Sequence, residues 1–180
     1  VNAARTFDLV TPLMFASFKG HLEIAQLLVN AGATVDAENN VGCTAFIHAS
    51  SHGHRSIAEF LLAHGANVNA AQTDDGSTAL IWASKNGHRD VVEFLVNAGA
   101  NVNTATTTYG MTALMWATEK DKLEIAQVLV NAGADVNATK TDTGSTALIL
   151  ASEIGRFDIA QLLVERGADV NAVNENGSTR

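Results

Sequence analysis

The chain has 180 residues, with 11 Lys and Arg against 19 Asp and Glu, for a formal net charge of −8. That balance argues against nucleic acid as a partner, and a hydrophobic content of 47% argues against disorder. No apolar run approaches the roughly 18 residues that span a bilayer, so no membrane is expected, and the single Cys43 excludes an internal disulfide and fits a reducing, cytoplasmic compartment.

In chain order, Val1-Asn2-Ala3 stands 34 residues before Val35-Asp36-Ala37 and reads as the tail of an upstream repeat. Thr11 then precedes Pro12, and Thr44, Thr78, Thr112 and Thr146 each precede an alanine. A threonine hydroxyl accepts from first-turn amides, and Pro or Ala suits the first helical position. Each threonine is therefore predicted to start a helix of about eight residues, such as Ala79–Asn86. Gly20, Gly53, Gly87 and Gly155 follow as left-handed stops. Asp121 takes that place in the fourth repeat, and Asp tolerates the conformation.

A second helix carries one apolar stripe, Ile24, Leu27 and Leu28 in the first repeat and Val91, Phe94 and Leu95 in the third. It ends at Gly32, Gly65, Gly99, Gly133 and Gly167, spaced by 33 and then three times by 34 residues. A turn-rich arm such as residues 70–77 completes each unit. Five repeats are read at about 6–37, 39–70, 73–104, 107–138 and 141–172, in a single array flanked by partial repeats at 1–3 and 174–180. Because an array buries each repeat on its neighbours, the uncapped ends are read as those of a segment of a longer array. Phe7, Leu9 and Val10 are the alternative, an improvised cap.

Thr11-Pro12-Leu13, Gly20-His21-Leu22-Glu23-Ile24 and Leu27-Leu28-Val29-Asn30-Ala31-Gly32-Ala33 closely resemble the ankyrin repeat. The resemblance runs through nearly the whole chain. It implies an all-α solenoid of stacked helix–turn–helix units with β-hairpin fingers. It also implies a concave groove that binds other proteins and repeats that carry no catalysis.

Two departures stand out. The family's Thr-Pro-Leu-His loses its histidine, which becomes Met14, Ile47, Ile81, Met115 and Ile149. Weaker polar ties between repeats are therefore expected. Three fingers, at 70–77, 103–111 and 137–145, carry one residue beyond a period of 33 and should be longer. Asn69, Asn103, Asn137 and Asn171 close the finger base, where a bond across the hairpin accounts for them.

No catalytic set is found. Ser17, Ser50, Ser84, Thr118 and Ser152 fill one repeated slot, and a nucleophile needs its own base nearby. Glu23, Asp90, Glu124 and Asp158 recur at the start of the second helix, where they favour its dipole. His48 and His52 share a helix face near Cys43, the spacing of a zinc pair, but His48 aligns with Phe15, Trp82, Trp116 and Leu150 in a structural column. No metal and no cofactor are assigned.

A non-enzymatic protein-interaction module or scaffold is therefore expected, acting as a monomer. The alternatives are a positioning segment of a larger enzyme or channel and an engineered repeat-protein binder. The partner-binding residues are read as Asp75, Ser77, Trp82, Lys85, Tyr109, Met111, Trp116 and Glu119, centred on repeats three and four. Trp and Tyr dominate interfaces, and the polar positions beside them vary while the frame repeats. Asp74, Asp75 and Asp142 place negative charge at the rim, so a partner with a basic segment is expected.

Overall fold

A computed structural model describes residues 9–175. Among them, ten helices form five antiparallel pairs: α1 (Pro12–Lys19) with α2 (Leu22–Asn30), α3 (Ala45–Ser51) with α4 (Arg55–Ala63), α5 (Ala79–Asn86) with α6 (Arg89–Asn97), α7 (Ala113–Glu119) with α8 (Leu123–Asn131), and α9 (Ala147–Glu153) with α10 (Phe157–Glu165). Each inner, odd-numbered helix packs on its own outer helix and on the inner helix of an adjacent repeat. The result is an all-α solenoid, as the repeats imply. The expected partial repeat at 1–3, all but residues 174 and 175 of the one at 174–180, and the contribution of Phe7 to a cap fall outside the described residues.

The cap threonines behave as their sequence position requires. The hydroxyls of Thr11, Thr44, Thr78, Thr112 and Thr146 accept from the backbone N–H three residues on, at 3.2–3.4 Å. Seven to eight residues later each inner helix turns sharply into its outer partner. The fingers are closed by single antiparallel bridges, Ala71 with Thr78, Ala105 with Thr112 and Thr139 with Thr146. The extra residue is visible in the loop. The first finger pairs Asn39 N–H with the Cys43 carbonyl, whereas the next three pair Gln72 with Ser77, Thr106 with Met111 and Lys140 with Ser145.

The core is one continuous slab running through all the repeats. Leu13, Phe46, Leu80 and Leu114 are each 1% exposed or less, and Ile57, Val91, Ile125 and Ile159, at 2% or less, do the same from the outer helices. The stripe read on α2 is an exception: Ile24 and Leu27 are exposed and Leu28 is only half-buried. In later repeats the preceding outer helix covers that face. At the opposite end Val170 is likewise exposed, whereas Val136 at the same place one repeat earlier is buried.

Polar ties between repeats are more numerous than the loss of the family histidine leads one to expect. Finger backbones join directly, with the N–H groups of Thr73, Thr107, Thr141 and Glu175 donating to the carbonyls of Val41, Asp75, Tyr109 and Thr143. The finger-base asparagines do not stay within their own hairpin. Asn69, Asn103 and Asn137 each accept, at 2.8–2.9 Å, from a backbone N–H of the following repeat. At the outer turns, His54 Nε2–H donates to the Phe18 carbonyl and His88 Nε2–H to the Ser51 carbonyl.

Those histidines lie directly over the turn glycine of the repeat before. A Cβ on Gly53 would sit 2.6 Å from His88, whereas a Cβ on Gly65 would meet nothing within 4 Å, although both backbones are left-handed. Gly65→Ala should therefore cost only backbone strain, about 1 kcal/mol. Gly53→Ala should cost roughly 2–3 kcal/mol, because it also displaces the His88 ring from its bond. Urea midpoints of the two variants test this difference, and equal losses would contradict it.

Asp121 is left-handed, with φ 56°, and its carboxylate accepts from Arg156 Nη1–H at 3.0 Å. The pair sits where other repeats place a ring or a lysine over glycine, so the fourth turn is compensated rather than simply weak. Asp121→Gly should relieve strain by about 0.5–1 kcal/mol in an Arg156→Ala background. In the wild-type background it should gain less, because an exposed ion pair worth about 0–1 kcal/mol is lost with it. A double-mutant cycle of denaturation midpoints with no coupling would refute the compensation.

Candidate protein-binding surface

The inner helices and fingers form one concave face. Its centre is built by α5 and α7, whose fourth residues are Trp82 and Trp116, each half-buried against the core. One turn further on, Lys85 reaches between them, with Nζ 4.8 Å from the Trp82 ring and 4.0 Å from the Trp116 ring. Trp82 Nε1–H donates to Gln72 Oε1 in the finger at 2.8 Å, which fixes the ring. At the corresponding finger position of Trp116 stands Thr106, too short to do the same, and Trp116 Nε1 is buried with no partner. Lys120 Nζ lies 5.7 Å from the centre of that ring while bonding Glu119 at 3.0 Å.

The eight residues singled out from the sequence do not all reach the surface. Trp82, Lys85, Trp116 and Glu119 gather on the concave face, and Tyr109 stands 54% exposed at a finger tip. Met111 is only 3% exposed. It precedes the cap Thr112, and the same step in other repeats is Cys43, Ser77 and Ser145, all buried. The closing arm of each finger turns that side chain inward, so Met111 is a core residue. Ser77 is removed for the same reason: its hydroxyl donates to Asp75 Oδ2 at 2.7 Å, and its N–H to Oδ1 at 2.8 Å. Asp75 is therefore spent on its own turn. Asp142 likewise pairs with Lys140 at 3.4 Å, leaving Glu38, Asp74 and Glu175 as exposed finger carboxylates.

The family model described as "Ankyrin repeats (3 copies)" matches residues 2–72, 69–140 and 105–174. The chain belongs to the ankyrin repeat family. A stretch of 42 residues is also 50% identical to part of a probable E3 ubiquitin-protein ligase of Oryza sativa subsp. japonica, covering 23% of this chain and 8% of that protein. Ankyrin repeats are in general protein-interaction modules and are typically non-catalytic. Among the described residues no helix is long and apolar enough to cross a membrane, and no group of three His, Cys, Asp or Glu is placed to hold a metal.

The array also places an aromatic cluster at residues outside the eight singled out from the sequence. Phe18, 36% exposed, faces His52 with ring centroids 4.3 Å apart and His48 at 5.9 Å edge-on. Phe18 shares the inner-helix position of Lys85, so the repeat alignment carried the signal. His48 follows the column of Phe15 and Trp82 in packing terms. Burial and the neighbouring His52 hold its imidazole below the usual value of 6.5. Cys43 is buried and its thiol is pushed up to about 11, chiefly by that burial, so it stays neutral and unreactive at physiological pH.

A histidine whose folded pKa is depressed stabilises the fold fully above its unfolded value, and the contribution is lost as pH falls through it. The unfolding midpoint should therefore drop as pH is lowered below 6.5. His48→Leu, which copies Leu150 of the fifth repeat, should flatten that dependence. Urea titrations at pH 7.5 and 5.5 decide the matter, and an unchanged slope in the variant would refute the assignment.

Proposed function

We propose that the chain is a scaffold segment that holds a partner protein on its concave face, centred on repeats three and four, with Trp82, Lys85, Trp116, Glu119 and Tyr109 as the contact set. The observation that carries this reading is the Trp82–Lys85–Trp116 stack. Two aromatic rings and a cation stand half-buried together on the concave face, a composition enriched at interface hot spots. The net charge of −8 and the exposed rim carboxylates Glu38 and Asp74 support a partner with basic residues facing the fingers. The chain acts as a monomer without cofactor or catalysis, in a reducing compartment suited to the lone thiol. A second reading is an array that positions a larger enzyme, for which the support is the 42-residue likeness to part of a probable E3 ubiquitin-protein ligase.

The test is affinity capture from the source cell, followed by measured binding of the recovered partner. Tyr109→Ala and Lys85→Ala should each weaken it by about tenfold, equivalent to about 1.4 kcal/mol, with unfolding midpoints little changed. Its association rate should fall as salt rises. Undiminished affinity in both variants would remove the concave face from the reading, and a salt-independent rate would remove the basic segment.

A further inference from the structure

Lys85 is unlike the cations that pair elsewhere in the array. Arg55, Arg89, Lys120, Lys140 and Arg156 each lie within 4.0 Å of a carboxylate, whereas Lys85 makes no such pair among the described residues. It is half-buried and held by two indole rings, so its ammonium is partly stripped of water, kept in one place and left with its charge uncompensated. Side-chain entropy has already been spent in fixing it, which favours an incoming anion.

The floor of the first three repeats offers no acid to balance it. Helices α1, α3 and α5 carry no Asp or Glu, and their charged groups are Lys19 and Lys85. In a chain of net charge −8, this strip is a local reversal. Directly beside it lies a hollow of about 330 Å³ whose apolar walls are Phe18, Ile47 and Trp82, with His48, Gln72 and Asn86 supplying polar edges. Trp82 belongs to both features: one part of the ring bounds the hollow and the ring also bears the Lys85 ammonium.

We propose that the floor of repeats one to three receives an acidic protein segment, with an Asp or Glu carboxylate on Lys85 and an aromatic or large aliphatic side chain in the adjoining hollow. The inference rests on the concave-face reading above and gives it a partner chemistry. The two anchors share a single indole, so the partner's carboxylate and its apolar residue stand within about three positions of one another on an extended chain. Rim and floor then ask for opposite charges: basic residues meet Glu38 and Asp74 at the finger tips, while the carboxylate goes down to Lys85.

The experiment selects displayed random peptides of about twelve residues, ~40 Å when extended, on the full chain. Synthetic copies of the winners are then measured by fluorescence polarisation. Enriched peptides should share an Asp or Glu within about three positions of Phe, Trp, Leu or Met. Their affinity should fall about tenfold or more on Lys85→Gln or Phe18→Ala and be retained within a few-fold by Lys85→Arg. Lys85→Glu should bind the same peptides with their acidic residue changed to Lys. Thermal midpoints accompany each variant, and Lys85→Arg with the charge exchange decides the case if Lys85→Gln unfolds. Winners that lack the acidic signature but lose affinity with Tyr109→Ala or Trp116→Ala would overturn this proposal and leave the concave-face reading standing. Failure to enrich any peptide, or winners indifferent to every concave-face variant, would overturn both.

Discussion

The apposition of successive inner helices is the contact on which everything else depends. Leu13, Phe46, Leu80 and Leu114 are fully buried only because neighbouring repeats stack, since a pair of eight-residue helices encloses almost no core by itself. Stability is thus a sum of interfaces, and faces such as Ile24 with Leu27, or Val170, stay exposed where no described repeat covers them. The same apposition sets the spacing of the concave side chains. It brings Trp82 and Trp116, 34 residues apart in sequence, to opposite sides of one lysine ammonium.

A polar seam runs along each edge of that apolar slab, and it replaces what the substituted histidine would have supplied. At the finger edge the backbone and the Asn69, Asn103 and Asn137 side chains reach forward to the next repeat. At the outer edge His54 and His88 reach back. The turn residue and its successor therefore form a matched pair. A glycine leaves room for a ring, and Asp121, which has no such room, meets the guanidinium of Arg156 instead. With Ile47, Ile81, Met115 and Ile149 buried where histidine is usual, apolar packing and these ties share the work.

Charge is sorted by surface. Acidic residues such as Glu23, Asp90, Glu124 and Asp158 open the outer helices, where they complement the helix dipoles and face away from the groove. Several finger carboxylates are absorbed by their own turns. On the floor formed by α1, α3 and α5 what remains is aromatic and cationic, with Glu119 following on α7, a pattern invisible in the net charge of the chain. The protein can therefore be acidic as a whole and still offer a positive centre to a ligand.

Sequence alone determined whatever is local or strictly periodic. The threonine caps, the inner helix at 79–86, the left-handed Asp121 and the one-residue extension of three fingers could all be read from spacing, because each follows from backbone chemistry within a few residues. The column of Phe15, His48, Trp82, Trp116 and Leu150 was legible for the same reason. Only the tertiary structure decided that Met111 and Ser77 turn inward, that Asp75 is spent on its own loop, and that the asparagines bridge repeats rather than hairpins. The same holds for Lys85, whose position between the rings depends on two repeats stacking. A periodic sequence states which residue sits at each position of a repeat. Which neighbour that residue meets depends on contacts about 34 residues away, and these exist only once the layers have closed.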